Sequence, residues 1–195
     1  MKILVVTPAP AGTRLGNRMT ALRWARLLRG LGHSVRIVRR WHGEACDLLV
    51  ALHAQKSAGS VRAFRADHPN VPVVVALTGT DVYSVSGLSA QSRSSLRRAD
   101  RIVVLQSEAL RALDAAARVK ARVILQSAIR HRGKPRHPHR GFLVIALGHL
   151  RTVKNPLLAA RAVRLLPANS SVRIEHYGAP LDPAMARKAR RESKE

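Results

Sequence analysis

Six short runs of this chain are rich in apolar residues and, Arg36 apart, do not alternate with polar ones: Ile3–Thr7, Val35–Arg39, Asp47–Leu52, Val73–Leu77, Ile102–Leu105 and Val123–Gln126. A strand with one wet face alternates; a strand covered on both faces does not. Between the runs lie segments with helical spacing. Met19–Leu31 places Leu22, Ala25, Leu28 and Leu31 on one face, Val61–Asp67 is shorter, Leu88–Ala99 opens on serines suited to capping, and Glu108–Ala117 is rich in Ala and Leu. Strands alternating with helices predict an α/β fold with a doubly wound parallel sheet over residues 1–128.

The composition then changes. Ile129–Gly141, "IRHRGKPRHPHRG", holds prolines, histidines and basic residues and almost nothing apolar, so it reads as a linker. His131, His137 and His139 lack any cysteine or carboxylate beside them, which argues for a solvated linker and against a metal site. After it the pattern restarts: Phe142–Gly148 as strand, Pro156–Leu166 as helix, Val172–Gly178 as strand and Pro183–Arg191 as helix. Two strands do not make a sheet covered on both faces. The expectation is therefore the first part of a second α/β domain over 142–195, in a fragment of a longer protein or the product of a truncated gene.

The net charge is +24, carried mostly by arginine spread along the chain. Such a field attracts anions, whether nucleotides, phosphates, nucleic acid or acidic membrane. An arginine-rich composition that merely colours the surface is the competing reading. Aromatics make up 3% of the chain, too few to furnish the stacking platforms of single-strand binders, and no helix-turn-helix, zinc or RNA-recognition motif is present. The one cysteine, Cys46, excludes an internal disulfide and fits a reducing, cytoplasmic compartment; it reads as a packing residue. No apolar stretch approaches the roughly 20 residues of a membrane span, and the N-terminus enters a strand directly rather than a signal peptide.

Candidate functional residues gather where strands end. The loop after the first strand carries Gly12, Thr13, Arg14, Gly16, Asn17 and Arg18 ahead of a helix, where backbone N–H groups and a positive helix end suit an anion. Its spacing is not G-x-G-x-x-G, and Arg39 and Arg40 stand where an acidic residue would bind a ribose, which counts against NAD. A plain β–α turn is the alternative. "LTGTD" brings Thr78, Gly79, Thr80 and Asp81 to the same edge, with Asp81 as a substrate group or a turn cap. Gln106–Ser107 and Gln126–Ser127 repeat a pair after two later strands, with Ser107 read as a helix cap. His53 ends the third strand, a position suited to a base and equally to a packed histidine. "ALGHLRTVKNP" opens the second half and sets Gly148, His149, Arg151 and Lys154 before a helix, a fitting place for a diphosphate or simply a basic loop.

Two α/β halves joined by a linker, the second opening on "GHLRTVKNP", resemble the GT-B glycosyltransferases of the large retaining family 4. In that family a G-R-L-x-x-x-K-G segment starts the donor half. Gly148, Leu150 and Lys154 match it; His149 stands in place of the Arg and Asn155 in place of the second Gly. Taken together, "TPAPAGTRLGNR", "CDLLVALHA", "VALTGTDVY", "ADRIVVLQ", "KARVILQSA" and "GHLRTVKNP" resemble, in order, the selenosugar synthases of selenoneine biosynthesis. The resemblance implies a Rossmann-like acceptor domain and a second Rossmann-like donor domain. It implies transfer from a UDP-sugar, typically UDP-N-acetylglucosamine, to selenophosphate, with no metal or other cofactor. Gly148, His149, Arg151 and Lys154 would meet the diphosphate. The loop Gly12–Arg18, with Thr78–Thr80, Gln106, Gln126 and Ser127, would hold the anionic acceptor, and His53 or Asp81 would assist. The family's later pair of glutamates has no match after Gly178, so the expectation is little or no turnover by residues 1–195 alone. The alternatives are a family-4 transferase for a lipid or polysaccharide acceptor and a basic nucleic-acid-binding module.

Overall fold

The computed structural model describes residues 1–83, 87–128, 133 and 141–193. The chain divides into two compact units, Met1–Ile129 and Arg130–Glu195. Most of the segment read as a linker, including His131, His137 and His139, lies outside the described residues.

The first unit is α/β with a six-stranded, all-parallel sheet, consistent with a Rossmann-like fold. The strands are β1 (Lys2–Val6), β2 (Ser34–Val38), β3 (Leu48–Leu52), β4 (Val73–Leu77), β5 (Arg101–Val104) and β6 (Ala121–Val123), in the order β2-β1-β3-β4-β5-β6. The helices are α1 (Gly16–Gly30), α2 (Ala58–Asp67), α3 (Ala90–Arg98) and α4 (Ala115–Lys120). The apolar strands β1, β3, β4 and β5 have the cause expected of them, since both faces are covered, whereas the edge strands β2 and β6 keep exposed residues. On one face Ile3, Val5, Val50, Leu52 and Ala76 pack with Ala21 and Ala25 of α1. On the other, Leu4, Val6, Leu49, Ala51 and Val75 pack with Val61 and Phe64 of α2 and Leu96 of α3. Phe64 is fully buried and meets Trp41 edge-on, with ring centroids 5.6 Å apart. Cys46 packs at the margin of this second cluster, where burial raises its thiol pKa, as a packing residue requires.

Several boundaries differ from the sequence reading. The sixth strand starts two residues earlier and ends at Val123, leaving Gln126 and Ser127 in the segment beyond it. The helix expected over Glu108–Ala117 is two pieces, a 3-10 turn at Ser107–Ala112 and then α4. Asp114 divides them by accepting the Ala117 N–H at 2.8 Å, while Ser107 makes no side-chain cap. The buried side of α1 is built on Thr20, Ala21 and Ala25; Leu22 and Leu31 are exposed. Small residues let the helix approach the sheet, and Leu28 packs beside them as expected, while Leu22 and Leu31 turn outward.

The serine cap of the next helix is Ser89, whose hydroxyl accepts the Ser92 N–H at 3.1 Å. Ser89→Ala is expected to cost about 1 kcal/mol of stability. The measurement is the unfolding midpoint followed by Trp24 and Trp41 fluorescence, since both tryptophans lie in the first unit.

The second unit pairs β7 (Phe142–Leu147) with β8 (Val172–Tyr177) in parallel and adds α5 (Leu158–Val163) and α6 (Pro183–Glu192). Asp182 caps α6, accepting the Ala184 N–H at 2.9 Å ahead of Pro183. Among the described residues no helix is long and apolar enough to cross a membrane, and no group of three metal-ligating side chains is found.

Candidate functional site

The strand order places β1 between β2 and β3, so the chain leaves β1 in opposite directions across the sheet. That reversal opens a crevice at the carboxyl ends of β1 and β3, the usual ligand position in open α/β sheets. Register fixes what stands there. Val6 is level with Ala51, and Leu52 with Ala76. Thr7, His53 and Thr78 therefore end three adjacent strands side by side.

The β1–α1 loop folds on itself. Gly12 takes a positive φ of 76°, which glycine adopts without strain, and the Thr13 hydroxyl donates to the Pro10 carbonyl at 2.8 Å. Helix α1 then begins at Gly16 with Leu15 at its cap position, no side-chain cap and no acidic residue in its first turn. Its leading N–H groups and positive end are thus unneutralised by side chains. Arg14 is exposed, Asn17 and Arg18 are half-buried, and the Arg18 Nε is buried without a hydrogen-bond partner. Thr7, wholly buried, has an unpartnered hydroxyl, and so does the buried Oγ1 of Thr78. Buried hydroxyls normally find partners. Here the orphans cluster at the carboxyl edge where a ligand would approach.

His53 meets Thr80 and Asp81 from 27 or more residues away in the chain. Asp81 is a hub: one carboxylate oxygen accepts the Thr78 and Gly79 N–H groups, both at 2.9 Å, and the other accepts the Ala54 N–H at 2.8 Å. It joins the β4 loop to the β3 loop. Ser95 adds a tie from α3 by donating to the Ala54 carbonyl at 2.7 Å, and Ser57 closes the β3–α2 turn on the Leu52 carbonyl at 2.7 Å. His53 is 3% exposed and sits at φ 70°, a left-handed conformation uncommon for a residue with a Cβ and met most often at functional sites. Its Nε2 lies 3.1 Å from the Thr80 hydroxyl, and its Nδ1 accepts the Lys56 N–H at 3.3 Å. Burial lowers the pKa of the imidazole, against the opposing pull of Asp81. The nearest Asp81 oxygen is 3.7 Å from Nδ1, beyond a hydrogen bond. A Thr-His-Asp constellation is present, but without the Asp-to-Nδ1 bond that makes such a histidine a base.

The remaining residues of this edge are also placed. Gln106 donates to the hydroxyl of Tyr83. Gln126 donates to the Thr20 hydroxyl at 3.2 Å, and the Ser127 hydroxyl accepts from Arg23 Nε and Nη2, both at 3.1 Å. These last two pin the segment after β6 to α1. Each of these side chains thus has a partner within the first unit. Arg23, Thr20 and Tyr83 had no signal in the sequence, because their partners lie up to 106 residues away.

In the second unit the loop Gly148–Asn155 is stapled to the segment after β8. Gly148 N–H donates to the Tyr177 carbonyl at 2.9 Å, Leu150 N–H to Ala179 at 3.0 Å, and Asp182 N–H to Leu150 at 3.2 Å. His149 accepts the Ala179 N–H on Nδ1 at 3.0 Å, which leaves its proton on Nε2, and His176 Nε2 donates to the Gly148 carbonyl at 2.8 Å. Thr152 donates to Asp182 at 3.0 Å; hydrogen bonds from the Met185 N–H and then Thr152 hold that carboxyl below the usual range. A cavity of about 350 Å³ is lined by Gly148, His149, Lys154, Asn155 and His176. Arg151 is exposed and does not line it. His176 was missed in the sequence, where it sits inside a strand.

A scan against models of protein families finds no match for this chain, and a search of curated proteins finds none either.

Proposed function

We propose that this chain carries the acceptor half and the opening of the donor half of a GT-B glycosyltransferase that joins a UDP-sugar, UDP-N-acetylglucosamine foremost, to selenophosphate. The observation that carries the reading is the switch-point crevice of the first unit. It offers the uncapped N-terminus of α1, Arg14 and Arg18, and orphaned threonine hydroxyls to an anion, with hardly an aromatic surface for a lipid or a base. A small, highly charged acceptor suits it better than a lipid, a polysaccharide or a nucleic-acid strand.

The reaction breaks the anomeric C1–O bond as a C1–Se bond forms, and UDP leaves with the electron pair. Loss of the phosphoryl group to water then frees the 1-selenosugar and releases phosphate. Leaving-group charge must be met by fixed donors. Lys154 and the Nε2–H of His149, on the stapled loop of the second unit, serve that role, with the Arg151 charge nearby. No nucleic acid takes part, and no metal or cofactor is assigned.

The test mixes UDP-N-acetylglucosamine with selenophosphate and reads products by mass spectrometry. Residues 1–195 are run beside a form carrying whatever the reading frame encodes after Glu195. A selenium-bearing sugar supports the reading, and turnover confined to the longer form is the expected pattern. In the active form Lys154→Ala is expected to lower kcat/KM about 100-fold. UDP release with a different acceptor and no selenosugar would keep a transferase and remove selenium from it.

A further inference from the structure

The hydrogen bonding around His53 decides which way a proton points at the mouth of the crevice. Its Nδ1 is occupied as an acceptor, because a backbone N–H, that of Lys56, can only donate to it. The ring proton therefore resides on Nε2 and is donated to the Thr80 hydroxyl oxygen 3.1 Å away. Thr80 itself is exposed, three residues beyond the end of the β4 register. With its oxygen receiving the histidine proton, its own O–H is directed away from His53, toward solvent at the carboxyl edge.

We propose that Thr80 is a specificity-determining donor, fixed in that sense by His53, for a ligand atom that can only accept: an anionic oxygen of a phosphate-type group. His53 is a positioning residue in this arrangement and not a general base. The inference rests on the anionic-acceptor reading above and sharpens it, since it states which atom type of the acceptor Thr80 contacts. A neutral hydroxyl ligand can match either sense of the threonine proton, whereas a phosphate oxygen matches only the donating one.

Asp81 faces the ring from the β4 loop, with both oxygens committed to backbone N–H groups, and the Lys56 ammonium opposes protonation from the β3–α2 turn. Burial lowers the imidazole pKa, so this sense of the Thr80 donor belongs to the neutral ring, the form held at pH 7 and above. A His53 acting as base would instead impose a rise in function through its own titration.

The experiment uses residues 1–195 and two readouts. Two-dimensional ¹⁵N spectra of the histidine side chains identify the His53 tautomer in the unmodified chain, so nothing hangs on a variant folding. The expected result is an unprotonated Nδ1 and a protonated Nε2 from pH 8 to 7. The second readout is the affinity for inorganic phosphate, followed by ³¹P line broadening, in Thr80→Ser and Thr80→Val. Ser keeps the hydroxyl and should bind within about 3-fold of the parent, whereas Val should bind about 10-fold more weakly. An Nδ1-protonated His53, no phosphate binding by the parent, or equal binding by Thr80→Val would each overturn the proposal. A correct tautomer and a Thr80-dependent phosphate site, with no selenosugar made by the longer enzyme, would sink the selenium reading and leave this one standing.

Discussion

Asp81→Ala is expected to destabilise the first unit by about 3–5 kcal/mol, a large fraction of what a domain of this size holds in reserve. The side chain is wholly buried and accepts N–H groups from Ala54, Thr78 and Gly79. Truncation leaves those donors without partners in a space from which water is largely excluded, at about 1–3 kcal/mol each before relaxation. It also frees the β3 and β4 loops from one another, so His53 loses the frame that holds it at φ 70°. Asp81→Asn keeps one carbonyl oxygen for Thr78 and Gly79 but turns an amide NH₂ toward the Ala54 N–H, and should cost about 2 kcal/mol. Denaturant unfolding followed by Trp24 and Trp41 fluorescence isolates the first unit, which holds both residues. A loss under about 1 kcal/mol for Asp81→Ala would show that the loops close without the carboxylate.

The same residue shows where sequence reading stops. "LTGTD" could be placed at a sheet edge because the apolar run before it was a strand, and Asp81 was read either as a substrate group or as a cap. The structure gives it three backbone partners, which is the structural role. Ala54 lies 27 residues away, and nothing local announces that its N–H needs an acceptor. His53 was likewise read as base or packed residue; its tautomer depends on the turn it begins, through Lys56, and on a threonine from another loop. The central strands of the sheet were legible because burial on both faces writes itself into composition. The break between the 3-10 turn and α4 was not, because Ala and Leu favour a continuous helix and only the Asp114 cap decides against it. The engagement of Gln126 and Ser127 with α1 was invisible for the same reason as Ala54: contact across the sheet leaves no trace in spacing.

Gly178→Ala is the second large effect expected, and Gly148→Ala is its control. In the sequence Gly148 is the motif glycine and Gly178 merely ends a strand. Space in the structure assigns them the other way. A Cβ on Gly148 meets nothing within 4 Å, and its backbone needs no positive φ. A Cβ on Gly178 would fall 1.8 Å from the Gly148 carbonyl oxygen and 2.9 Å from the His149 nitrogen, both backbone atoms that no rotamer change can move. One strand end must therefore withdraw. The first bonds lost are those that staple the loop: Leu150 N–H to Ala179, and Ala179 N–H to the His149 ring. The cost is about 3 kcal/mol, the upper end for overpacking because backbone rather than side chains must yield. In a unit whose sheet has two strands among the described residues, that is enough to undo the loop. The amide resonances of Gly148, Leu150 and Ala179 should shift or broaden in Gly178→Ala and stay in place beyond the substituted residue in Gly148→Ala. If Lys154 and His149 hold a diphosphate, UDP binding should fall about 10-fold or more with the first change and stay within about 3-fold with the second. Lys154→Ala should lose that binding with the loop resonances intact, separating loss of a charge from loss of the frame that presents it. Undisturbed loop resonances in Gly178→Ala would mean that the close approach of the two strand ends is not what shapes this site.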